Sequence, residues 1–267
     1  MLRYNHSLVE RKWMELIEEQ KQAQPGAPRI CTVLVPGDSA EIELENARLV
    51  VLADFFAALR WPEGWVHEVC GGTEDLRRAA LRLGTAPALT CTQPGFQLGV
   101  VPRDYQHLIR AVDCRETLYV GRFLGGLALD DLLLDFGGDA LRIFFLFQGP
   151  PERDYQFNWY GLVSAHRFVQ RVWRLAQNLT EAAWHPWSES SLLELAALVQ
   201  KRSTAGKPHT ALAALMAYLK QKTALSPGEV RAVAELLRPF APFLSAELTS
   251  MAPVEHDDHR QCDQADG

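Results

Sequence analysis

The sequence predicts a two-part fold, an α/β unit followed by an all-α unit, and three observations carry the prediction. Short β-rich runs alternate with apolar-periodic segments up to about residue 117. From Leu127 onward the periodicity is helical throughout. Pro and Gly cluster at the joints, as at Pro25-Gly26, Pro36-Gly37 and Pro150-Pro151, where they stop regular structure.

In the first part, Leu8, Trp13, Leu16 and Ile17 recur near helical spacing, which predicts a helix over 4–22. Arg29–Val35 reads as a strand and Leu44–Trp61 as a helix closed by Pro62 and Gly64. Trp65–Cys70 reads as a second strand. Thr73 is placed to cap a helix over Glu74–Leu83, with Glu74 and Asp75 suited to its first turn. Ala88–Thr92 reads as a third strand, followed by a Pro/Gly-rich loop and a helix near Asp104–Val112. Strands that alternate with helices imply parallel pairing.

In the second part, Asp139 is placed to cap a helix ending near Phe147, and Asn158 to cap one ending near Leu179. On the latter, Leu162, Ala165, Val169, Val172, Ala176 and Leu179 share an apolar face, while Arg167, Arg171, Arg174 and Asn178 lie opposite. Further helices are expected near Ser191–Lys201, Thr210–Lys222 and Pro227–Arg238, then one from about Ala241 that leads into a polar tail.

Composition narrows the class. With 48% hydrophobic and 22% charged residues the chain is that of a globular protein. No apolar run is long enough for a membrane span, and the acidic, amphipathic N-terminus does not read as a secretory signal, so a cytoplasmic protein is expected. A net charge of −6 argues against indiscriminate coating of nucleic acid, DNA included, though not against a local basic stripe. The five cysteines, at 31, 70, 91, 114 and 262, include no CxxC pair. Buried or incidental thiols are expected rather than a disulfide framework.

The stretch FGGDALRIFFLFQGPPERDYQFNWYGLVSAHRFVQRVW, Phe136–Trp173, resembles the segment of class I leucyl-tRNA synthetases that joins the catalytic domain to the helical anticodon-binding bundle. The likeness rests on Gly137–Arg142, Pro150-Pro151, Asp154, Trp159, Gly161, Arg167-Phe168 and Arg171–Trp173. It extends to HTALAALM at His209–Met216, LLRPFAPFLSAEL at Leu236–Leu248, and Tyr4-Asn5 with ERKW at Glu10–Trp13. Residues 61–117 carry no match. The resemblance implies an N-terminal helix (1–28), a reduced Rossmann-like catalytic-type domain (29–126), an anticodon-binding-like bundle (127–252) and a disordered polar tail (253–267).

That family activates an amino acid through attack of its carboxylate on the α-phosphate of ATP. A His-Ile-Gly-His-type signature should open the helix after the first strand, at Glu43, Leu44, Glu45 and Asn46 of this sequence. Both histidines are absent, and Glu45 stands where the glycine belongs. Carboxylates facing a triphosphate repel it. The lysine-rich loop that neutralises departing pyrophosphate should lie near Leu118–Arg122, where Gly121 and Arg122 stand and only Arg122 is cationic. The editing insertion and the C-terminal tRNA-binding module of the family are likewise expected to be missing.

The resemblance therefore implies a relative that has lost ATP-dependent activation, uses no cofactor and retains tRNA binding, with Arg167, Arg171 and Arg174 contacting phosphates. Two alternatives stay open. One is a divergent but active ligase or aminoacyl-transfer enzyme that would use ATP; the other is a scaffold docking on a synthetase or another protein. Smaller features read more plainly. The arginine stripe also fits a solvated face. Trp159 and Trp173 suit core packing more than base stacking. Asp139 and Arg142 suit capping and pairing at the junction. Cys31 sits in a buried strand with no activating partner, and Gly71-Gly72-Thr73 is a turn. Gly121–Gly126 lacks the Lys-Ser/Thr of a phosphate-binding loop, and the His256, Asp257, Asp258, His259 and Cys262 tail fits a solvated terminus better than a metal site.

Overall fold

A computed structural model describes residues 3–20, 26–37, 42–89, 95–111, 113–125, 127–178 and 186–251. Its architecture is mixed α/β, with one parallel sheet and many helices. The polar tail with His256, Asp257, Asp258, His259 and Cys262, together with Cys91, Gly126 and Leu179, lies outside the described residues.

The sheet has four strands, β1 (Arg29–Val33), β2 (Val66–Cys70), β3 (Phe96–Pro102) and β4 (Cys114–Val120), in the order β2-β1-β3-β4. All three pairings are parallel; Ile30, for example, is in register with His67 on one side and Leu98 on the other. Helices α1 (His6–Gln20), α2 (Leu44–Arg60) and α3 (Glu74–Arg82) fall where periodicity and caps predict, and Thr73 Oγ1 accepts from the Leu76 amide.

Of the expected strand Ala88–Thr92, Ala88 contributes a single bridge to Glu68, while Thr90, Cys91 and Thr92 lie outside the described residues. Two expectations of the first part need correction. The third described strand is β3, in the segment expected to be a loop. It is buried at six of seven positions, so it lacks the alternation that betrays a half-buried strand. The helix expected near Asp104–Val112 is a kinked 3-10 segment, Arg103–Ala111.

Helices α4 (Leu129–Phe136), α5 (Gly138–Phe147), α6 (Trp159–Gln177), α7 (Pro186–Thr204), α8 (Pro208–Lys220), α9 (Pro227–Leu237) and α10 (Pro242–Met251) make up the second part. It is not purely helical, because β6 (Tyr155–Gln156) pairs in parallel with β5 (Phe123–Leu124). Asn158 caps α6 through the Gly161 amide. Asp139 does not cap its own helix. Its carboxylate accepts from the Phe243 and Leu244 amides at the start of α10, and from the Tyr4 hydroxyl.

One apolar core runs from α1 and the inner sheet face through α2 and α5 to α8–α10. At its centre two large charged side chains are fully buried. Arg142 pairs with Asp54 at 3.0 Å and donates to the Leu83 and Pro239 carbonyls, which joins α2 and α3 to α5 and the α9–α10 turn. Cys31 and Cys114 are free thiols, and burial pushes Cys31 up to about 12, which keeps it in the thiol form near neutrality. Cys70, against expectation, is disulfide-bonded. No helix among the described residues is long and apolar enough to cross a membrane.

Candidate active-site crevice and arginine face

The strand order fixes where a ligand crevice should lie. From β1 the chain moves outward to β2, then crosses back so that β3 flanks β1 on its other side. In such sheets the crevice opens beyond the carboxyl ends of the strands at that reversal. The segments arriving there are Leu34–Gly37 after β1, Arg103-Asp104 after β3, Gly121-Arg122 after β4, and the start of α2. The two groups singled out in the sequence, Glu43–Asn46 and Gly121-Arg122, are thus brought together.

Their side chains are turned to structural work. Glu43 is the N-cap residue of α2 but makes no side-chain cap. Leu44 is buried in the core. Asn46 clamps the exit of β1, its Oδ1 accepting from the Val35 amide at 2.8 Å and its Nδ2 donating to the Val35 carbonyl. The Glu45 carboxylate crosses the crevice and accepts from the Phe123 amide at 3.1 Å. Burial pushes its pKa up from the ordinary value, opposed by that amide and by Arg122.

Arg48, one turn further along α2, is buried beneath these residues. It donates to the Gly121 carbonyl at 2.8 Å and the Pro151 carbonyl at 3.1 Å, with its guanidinium 5.2 Å from the Tyr155 ring centroid. Burial lowers its pKa to about 10, still far above neutrality. Gly121 is required because a Cβ there would fall 2.3 Å from the Arg153 backbone. Arg122, the single cation left where the lysine-rich loop is expected, is also engaged. Its amide donates to Asp154, and its side chain lies 3.8 Å from Asp104. Arg103 forks onto Asp154 with both oxygens within 3.0 Å. The Arg122 amide and Arg103 together hold Asp154 below the ordinary carboxylate range. Among the described residues, Arg103 and Arg122 of the crevice are thus paired with Asp154 and Asp104. Neither Asp154 nor the Arg103 pairing was singled out as functional; the 3-10 segment that presents Arg103 carried no clear motif.

The arginine stripe divides. Arg167 and Arg174 are exposed on α6, whereas Arg171 is half-buried and donates through Nη2 to the Leu219, Lys220 and Lys222 carbonyls, closing the C-terminus of α8. Of the aromatic candidates, Trp173 packs on Tyr4 at 5.6 Å as expected. Trp159 does not vanish into the core: it is 52% exposed, propped on Phe157 at 5.0 Å, and beside it Tyr160 is 81% exposed.

No protein-family profile matches the chain. Leucine–tRNA ligase of Nitratidesulfovibrio vulgaris is 32% identical over 151 residues, 45% of this chain and 18% of the ligase. The Trichormus variabilis leucine–tRNA ligase is 26% identical over 51% of the chain and 18% of the ligase, and that of Sinorhizobium medicae is 50% identical over a shorter stretch, 20% of the chain and 6% of the ligase. The chain thus spans less than a fifth of the curated relatives it matches. Among solved structures, the Agrobacterium radiobacter K84 LeuRS in ternary complex with tRNA and LeuAMS aligns over 60% of this chain and 28% of that one, at 16% identity and TM-score 0.48. Mycobacterium tuberculosis methionyl-tRNA synthetase in its free state aligns over 57% and 42%, at 16% identity and TM-score 0.41. Over the portion that aligns in sequence, this chain is leucyl-tRNA synthetase-like, of the class I type.

Proposed function

We propose that the chain is a synthetase-derived protein that no longer activates amino acids with ATP and still binds tRNA. It combines a reduced Rossmann-like domain over 29–126 with an anticodon-binding-type bundle over 127–252. The observation that carries the loss of activation is the Glu45 carboxylate hydrogen-bonded across the crevice to Phe123, with Arg122 and Arg103 already paired to Asp104 and Asp154. A triphosphate entering there meets carboxylates before it meets a free cation.

The tRNA reading rests on sequence likeness to leucine–tRNA ligases and on two exposed, evenly placed arginines of α6. Arg167 and Arg174 are the phosphate contacts. Arg171 belongs to the face by position but holds the end of α8, so its loss unsettles the bundle.

Two measurements test the reading. Leucine-dependent exchange of pyrophosphate into ATP is expected to be absent, and exchange at any rate above a no-protein control overturns the loss of activation. Filter binding of tRNA should show strong salt dependence. The Arg167→Ala/Arg174→Ala double variant should bind weakly, with a log–log salt slope shallower by about 1.5–2. A variant slope equal to the parent's overturns the assignment of those arginines.

A further inference from the structure

Away from the crevice, a cleft of about 490 Å³ opens between the C-terminus of α5 and the α7–α8 turn, lined by Phe147, Arg202, Lys207, His209, Thr210 and Ala213. We propose that it is a binding site for a nucleoside phosphate, taken either as a free mononucleotide or as one unit of an RNA strand. The volume lies in the range of small-molecule sites.

The charge in this cleft is unspent, unlike that of the crevice. Lys207 has no side-chain partner among the described residues. Arg202 gives one Nη1 bond to the Thr210 carbonyl at 2.7 Å and leaves the rest of its fork open. Among the described residues no carboxylate lines the cleft; Glu152 is near enough to act on His209 but does not line it. The cleft also holds the start of α8, which has no side-chain cap. Pro208 carries no amide hydrogen, and the Thr210 and Ala211 amides return to the Lys207 carbonyl, so the His209 amide is the free donor of that first turn. Two cations beside an uncapped helix start suit one phosphate.

Two further groups extend the ligand beyond phosphate. Phe147, the last residue of α5, is 44% exposed and offers an aromatic surface to the cleft, which suits the face of a base. His209 has a buried Nδ1 with no hydrogen-bond partner, while the Gly149 backbone engages its ring. The ring lines the cleft, where an imidazole nitrogen meets a sugar hydroxyl as donor or acceptor. Phosphate, hydroxyl and base are the three parts of one nucleotide.

The site is separate from the arginine face. Arg171 closes the far end of α8, and thirteen helical residues place the two ends about 20 Å apart. The proposal does not rest on the tRNA reading, because a free nucleotide tests it without tRNA.

The experiment is calorimetric titration of the full chain with AMP, adenosine, inorganic phosphate and a single-stranded octaribonucleotide. AMP is expected to bind with a dissociation constant below about 10 mM, and adenosine and phosphate each about tenfold or more weaker. Lys207→Gln, a change at an exposed side chain, should weaken AMP about tenfold and leave adenosine unchanged, while Phe147→Leu should weaken AMP and adenosine alike. Octamer binding that AMP competes away identifies the strand as the source, and AMP binding without octamer binding identifies the free nucleotide; either supports the site. AMP that fails to bind, or binds Lys207→Gln as well as the parent, overturns it. tRNA binding that is lost in Arg167→Ala/Arg174→Ala while AMP binding persists separates the two proposals.

Discussion

Glu10 on α1 and Asp139 on α5 are buried carboxylates in each other's field, and their protonation is tied to folding. The Glu10 Oε1 accepts from the Gly138 amide at 2.7 Å, with Arg82 3.8 Å away, yet desolvation dominates and lifts its pKa to about 7. Desolvation likewise lifts Asp139 to about 6, against the Leu244 and Phe243 amides, Arg142 and Tyr4. A carboxyl with a raised pKa in the folded state binds protons more tightly there than when unfolded. Its contribution is therefore full below about pH 4 and is lost as pH rises through about 6–7. Glu10 alone accounts for about 3 kcal/mol across that window. Glu10→Gln keeps an oxygen for Gly138 and removes the titration. Urea unfolding should show it about as stable as the parent at pH 5 and more stable at pH 8. Equal losses in both proteins between those values would discard the account. Local signals in the sequence showed where these residues sit but not what they serve. Asp139 read as a cap of its own helix, and its true acceptor role belongs to α10, over a hundred positions later. Arg171 read as surface charge for the same reason, since the end of α8 that it closes is distant in the chain.

At the scale of elements, legibility followed whether a signal was local. Amphipathic periodicity located α1–α3, α6 and α8–α10, with Thr73 and Asn158 marking the starts of α3 and α6, whereas the Ser226/Glu229 capping box of α9 was passed over. Strands β3 and β4 escaped because one is buried nearly throughout and the other is an edge strand with polar exposed positions. With them unseen, the crevice could be located only by family likeness and not by topology. The Gly137-Gly138 pair shows a motif whose cause is purely packing between elements. Gly137 has φ +79°, and a Cβ on Gly138 would meet the Arg82 carbonyl oxygen at the end of α3. Gly138→Ala must push α5 off α3, at a cost of about 3 kcal/mol or more, since the obstacle is backbone and cannot rotate away. Thermal unfolding should fall by roughly 6–12 °C. A loss under 2 °C, which is about the effect of an ordinary surface change, would show that the α3–α5 contact yields easily.

For the molecule as a whole, the continuous core sets how the two sequence-defined parts respond to stress. The buried Arg142–Asp54 pair lies where they meet, and both partners are almost completely removed from solvent. Breaking such a pair by removing one member leaves an uncompensated buried charge and costs about 3–5 kcal/mol. Arg142→Met does this to Asp54 and also strips the Leu83 and Pro239 carbonyls of their donor. Because these groups belong to α2, α3 and the α9–α10 turn together, the damage cannot stay on one side of the boundary near residue 126. Trp61 and Trp65 report on the first part, Trp159 and Trp173 on the second, and far-UV circular dichroism reports chiefly on the helices. In the parent, fluorescence and circular dichroism should trace a single urea transition at one midpoint. In Arg142→Met both probes should move together to lower urea. If the variant instead gave two separate transitions, with the helical signal surviving after the Trp61 and Trp65 environment is lost, the bundle would be an independent folding unit, and the core would be a contact between two domains and not the core of one.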